Sequence, residues 1–65
     1  MLECTFRYEH AGLIVRIPTD DGVYELYGQA GEGAAELREQ IVETATGYAI
    51  SDEMLSVADP VTEEN

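Results

Sequence analysis

Leu2-Glu3-Cys4-Thr5-Phe6-Arg7-Tyr8 alternates apolar and polar residues without a break, and its reading governs the first half of the chain. Leu2, Cys4, Phe6 and Tyr8 fall on one face and Glu3, Thr5 and Arg7 on the other, the period-two pattern of a half-buried strand. Glu9-His10-Ala11-Gly12 interrupts it with a turn-permissive glycine, after which Leu13, Val15 and Ile17 resume the inward positions. A four-residue loop pairs Tyr8 with Leu13, Phe6 with Val15 and Cys4 with Ile17. Every inward residue then meets another, as register demands. Pro18-Thr19-Asp20-Asp21-Gly22 is a dense turn signal. A third strand, Val23 to Gly28, puts Tyr24 and Leu26 opposite Ile17 and Val15, and Arg16 across from Glu25 as an outer-face ion pair.

Gly28-Gln29-Ala30-Gly31-Glu32-Gly33 is a flexible junction, after which the period becomes 3.6. Ala34, Leu37, Ile41 and Ala45 share one side of a helix predicted over 32–46, with Gly47 just past its end. Tyr48-Ala49-Ile50 reads as a short apolar link. Ser51 suits the N-cap of a short second helix, with Asp52 and Glu53 at the positive end of its dipole. Met54, Leu55, Val57 and Ala58 give that helix an apolar side, and Asp59-Pro60 closes it. The expected architecture is α+β in the order βββαα: a three-stranded antiparallel meander on one amphipathic helix, with a short second helix. Residues 1–60 form a single domain and 61–65 a frayed tail. The predicted core sets Cys4, Phe6, Val15 and Leu26 against Leu37 and Ile41. Strands one and three would both be edges, which suits a monomer or weak homodimer.

Composition narrows the function. The 65 residues allow one core and no cleft between domains. Fourteen acidic residues face three arginines and no lysine, for a formal net charge of -11 and a pI near 4.1. Binding nucleic acid or an anionic membrane depends on Lys and Arg, so both are excluded as direct partners. Basic surfaces are attracted instead. The longest apolar run, Leu13-Ile14-Val15, is far short of the ~20 residues of a membrane span. No basic start followed by an apolar stretch marks a secretory signal, so a cytoplasmic location is expected.

The acidic residues are also ordered. Glu32, Glu36, Glu39 and Glu43 are four, three and four residues apart. On one helix they would lie at about 0°, 40°, 340° and 20° around the axis. Neighbouring like charges at this spacing cost about 0.2–0.5 kcal/mol each, and Arg38 points away from the row. The row therefore reads as an imitation of a line of phosphates, against the plainer reading of a solvated helix face rich in a good helix former. Asp20 and Asp21 in the turn, and Asp52 and Glu53 at the second helix start, are the further acidic candidates for partner binding. Residues 1–30 carry a net -3 and residues 31–65 a net -8, so the acidity is lopsided.

No catalytic residue, metal ligand or cofactor is expected. Cys4 sits on an inward strand position and His10 in a turn, so they read as a structural thiol and an exposed imidazole, not a nucleophilic pair. Asp20-Asp21-Gly22 is followed by no calcium-loop spacing. Gly28-x-x-Gly31-x-Gly33 lacks the lysine and spacing of a phosphate loop. Tyr8, Tyr24 and Tyr48 read as core aromatics with a wet edge, and Tyr27 as an anchor on the outer sheet face.

In size, element order, the Glu32/Glu36/Glu39/Glu43 row and the absence of lysine, the chain resembles the small acidic anti-CRISPR proteins of bacteriophages, the type I-C group above all. The resemblance implies a DNA mimic in the bacterial host cytoplasm that occupies the basic DNA path of a Cascade-type surveillance complex. It carries over no residue beyond the acidic positions. The competing reading is a halophilic adaptor or subunit, acidic for solubility, that binds through the outer sheet face around Ile14, Val23 and Tyr27.

Overall fold

A computed structural model describes residues 1–61. Three eight-residue strands, β1 (Leu2–Glu9), β2 (Gly12–Thr19) and β3 (Gly22–Gln29), form the expected meander. Its register is the one the alternation dictates: Phe6 faces Val15, Tyr8 faces Leu13, Ile17 faces Tyr24 and Val15 faces Leu26. Arg16 lies opposite Glu25 and bridges it at 3.0 Å. The loops are tighter than expected, with two residues each, His10-Ala11 and Asp20-Asp21. Gly12 follows the first at φ 151°. A Cβ there would collide with the Gly28 carbonyl oxygen, so only glycine closes this hairpin against β3.

The second half departs from expectation. The helix α1 covers only Glu32–Glu39, not 32–46. Residues 41–50 form a hairpin instead, β4 (Ile41–Thr44) and β5 (Gly47–Ile50), joined by Ala45-Thr46. Four of the six residues from Ile41 to Thr46 are β-branched, a composition that costs χ1 freedom in a helix and suits a pleated strand. Ala45, expected on the helix's apolar side, sits exposed in the turn. The Tyr48–Ile50 link is a strand that pairs with β1. Asp52–Val57 is a 3₁₀ turn with Ser51 as its N-cap, its side chain accepting from Glu53 N–H. Met54, Leu55 and Ala58 pack on the core, but Val57 is 65% exposed. The chain then adds a two-residue strand, β6 (Asp59–Pro60), to the outside of β3. Val61 donates to the Val23 carbonyl at 2.8 Å, so the expected fray does not begin there; residues 62–65 lie outside the described residues.

The meander is thus the middle of a six-stranded antiparallel sheet, in the order β4-β5-β1-β2-β3-β6. β1 is an interior strand, not an edge. α1 covers one sheet face over a core of Cys4, Leu13, Val15, Ile17, Leu26, Ala34, Leu37, Ile41 and Ile50. Gly28 lets the helix approach, since a Cβ there would stand 2.7 Å from the Gly33 carbonyl oxygen. Phe6, Tyr24 and Tyr48 are half-buried at the margin. Tyr8, expected inward with them, is 64% exposed.

Candidate interaction surface

α1 starts at Gly31, which serves as N-cap at φ 98° with no side-chain cap, and it buries Ala34 and Leu37. The opposite face carries Glu32, Glu36 and Glu39, all exposed. By helical geometry they share an arc of about 60° and span about 10 Å along the axis. Glu43 is not part of this row. It sits on β4, opposite Tyr48, where strand alternation puts it on the sheet face that carries α1. The expected row of four is a helical row of three plus an isolated carboxylate on a neighbouring strand.

The other acidic candidates are scattered. Asp20 and Asp21 form the β2–β3 turn, where Asp21 N–H donates to Thr19 Oγ1. Asp52 lies 2.8 Å from the Met1 amino group, and Glu53 is exposed beside it in the 3₁₀ turn. None of these four residues lies on α1.

What isolates the row electrically is the placement of the cations. Arg7 pairs with Glu9 at 3.3 Å and Arg16 with Glu25, both on sheet strands. Arg38, next to Glu39 in sequence, turns the other way. Its guanidinium stacks 5.0 Å from the Phe6 ring centroid and 5.8 Å from that of Tyr48, and its Nη1 donates to the Ile41 carbonyl. Among the described residues, Glu32, Glu36, Glu39 and Glu43 make no ion pair. Comparison with protein-family models, curated proteins and solved structures finds no match.

Sequence reasoning missed a second feature. Between α1 and the 3₁₀ turn, along β3, runs an open groove of about 720 Å³. Leu26, Leu37 and Met54 line its floor, and Glu36, Val57 and Asp59 its rim. Pro60 was the available signal, because proline within a sheet is confined to edges. Reading Asp59-Pro60 as a helix stop concealed an edge strand. The remaining chemical candidates lie apart from both surfaces. Cys4 is buried, which pushes its thiol up from the ordinary value, and His10 is exposed in its hairpin loop. No group of three or more His, Cys, Asp or Glu side chains able to hold a metal occurs among the described residues.

Proposed function

We propose that the protein is a stoichiometric inhibitor that lays its acidic helix on the basic, nucleic-acid-binding surface of a partner, acting by charge mimicry and without catalysis. One observation carries the reading: Glu32, Glu36 and Glu39 share an exposed helix face while all three arginines are engaged elsewhere. Three uncompensated carboxylates at a spacing of about 5–6 Å suit the Lys and Arg groups with which a protein clamps a phosphate backbone. The partner implied by the anti-CRISPR resemblance is a Cascade-type complex, and the test follows from it. DNA binding by that complex is measured with the parent and with Glu32→Lys/Glu39→Lys at matched concentrations. The variant should fold and lose inhibition, and parental inhibition should fade as salt shortens the screening length below ~10 Å. Equal inhibition by both proteins would retire the proposal.

The halophilic adaptor is the second reading, favoured by Tyr27, which is 58% exposed on the outer sheet face directly opposite Ile14. Part of Tyr27 is already engaged, since its hydroxyl donates to the Ala11 carbonyl at 2.6 Å. Circular dichroism during dialysis separates the readings. The inhibitor stays folded at low salt, whereas a halophilic protein unfolds as molar salt is removed.

A further inference from the structure

The edge of β3 beside the groove carries main-chain groups with no partner strand. Val61 N–H donates to the Val23 carbonyl and Asp59 pairs with Glu25, so the odd-numbered residues of β3 direct their peptide groups to this edge. β6 engages only the first part of it. Upstream of Asp59 only Ala58 is extended, the 3₁₀ turn ending at Val57, so no strand pairs with Tyr27 or Gln29 on this side among the described residues. Beside Tyr27 lies the groove, floored by Leu26, Leu37 and Met54. Two carboxylates on its rim, Glu36 and Asp59, make no ion pair among the described residues, whereas Glu25 is held by Arg16.

We propose that this edge binds an extended basic segment of a partner protein by strand addition. The segment's peptide groups pair with Tyr27 and Gln29, its apolar side chains rest on Leu37 and Met54, and its Lys or Arg groups meet Glu36 and Asp59. β6 demonstrates that the edge accepts an antiparallel strand. Charge selects the occupant. A second copy of this chain, at -11, would bring like charge to an acidic rim. Val61, the last described residue, lies opposite Val23, at the end of β3 away from Tyr27 and Gln29. The inference goes beyond the helical row and shares only Glu36 with it, so it stands or falls separately.

The test uses the full chain, labelled with ¹⁵N, and an acetylated, amidated hexapeptide of alternating lysine and valine. Two control peptides of equal charge are N-methylated at the lysines or at the valines. Saturating peptide should slow amide exchange at Tyr27 and Gln29 by roughly tenfold or more. One of the two methylated peptides should lose that protection, because only one set of its N–H groups faces β3. Glu36→Gln/Asp59→Asn should weaken binding about fivefold or more, while Glu32→Lys/Glu39→Lys leaves the protection in place. The proposal is overturned if the peptide does not bind at low salt, or binds without protecting Tyr27 and Gln29. It is also overturned if both methylated peptides protect equally, or if the Glu32/Glu39 variant abolishes protection. Inhibition of a DNA-binding complex is a separate readout, so either reading can fail alone.

Discussion

Arg38→Met tests what fixes the join between helix and hairpin. Arg38 stacks on Phe6 and Tyr48 and donates to the Ile41 carbonyl, tying the end of α1 to β1, β5 and the start of β4. Each stacking contact at a half-exposed site is worth about 0.5–1 kcal/mol. A hydrogen bond from a charged donor adds about 1.5–3 kcal/mol at most, less here because part of the site is wet. Methionine keeps the apolar stem and removes the charge and the donors, so the expected loss is about 2–3 kcal/mol. For a domain this small that lowers the melting midpoint by roughly 10–20 °C. The variant also lowers the net charge from -11 to -12, so a charge-preserving control is needed. Arg38→Lys supplies it, keeping the charge but not the planar fork, and should retain at least half of the loss. Melting is followed by circular dichroism, with Phe6→Leu closing a double-mutant cycle whose coupling should be about 0.5–1 kcal/mol. A lysine variant that melts with the parent, or a coupling below about 0.2 kcal/mol, would refute the stacking account.

Two further outcomes follow from the packing. Gly28→Ala should lift α1 off the sheet and cost about 1–3 kcal/mol, read as a lower urea midpoint; an unchanged midpoint would show that the helix does not depend on this close approach. Burial pushes the Cys4 thiol up, so iodoacetamide at pH 8 should label the native chain far more slowly than the urea-unfolded one. Because the unfolded thiol loses its proton first, stability should fall as pH rises past the ordinary thiol value. Equal labelling rates would place Cys4 outside the core.

The meander was legible because its strands are long enough for alternation to speak, and because each inward position on one strand finds an inward partner on the next. The Arg16–Glu25 bridge came with that register. The Ile41–Ile50 hairpin was not legible by periodicity. Ile41 stands four residues after Leu37, so it continues the helical stripe and also begins a strand. Both roles point it into the same core, and its burial cannot tell them apart. The run of β-branched residues from Ile41 to Thr46 held the answer, and strands of four residues give alternation too little length to compete. The error then passed to the site. Glu43 joined the row only on the premise of a longer helix, whereas Glu32, Glu36 and Glu39 needed only the part that exists. Arg38 could be directed away from the row by angle alone, but its stacking on Phe6 needed the tertiary fold.

The acidic row is cheap to keep, which bears on why it is there. An isolated eight-residue helix would not form in water, so α1 exists because the sheet holds it. Burying Leu37 contributes about 1.5–3 kcal/mol, with a smaller share from Ala34. Against that stand two like-charge neighbours, Glu32–Glu36 and Glu36–Glu39, at about 0.2–0.5 kcal/mol each. Glu32 in the first turn recovers part of this from the helix dipole. Packing of Leu37 therefore exceeds the repulsion across the whole of both ranges, and the fold does not require counterions to neutralise the row. Lysine at Glu39 would relieve the repulsion and suit the C-terminal end of the dipole, yet no lysine occurs anywhere in the chain. The one cation within reach, Arg38, is committed to the aromatic face on the far side of the helix. Since stability neither demands these carboxylates nor is seriously harmed by them, lysine at Glu32 and Glu39 should leave the melting midpoint close to that of the parent, so a loss of inhibition in that variant would report on the surface and not on the fold.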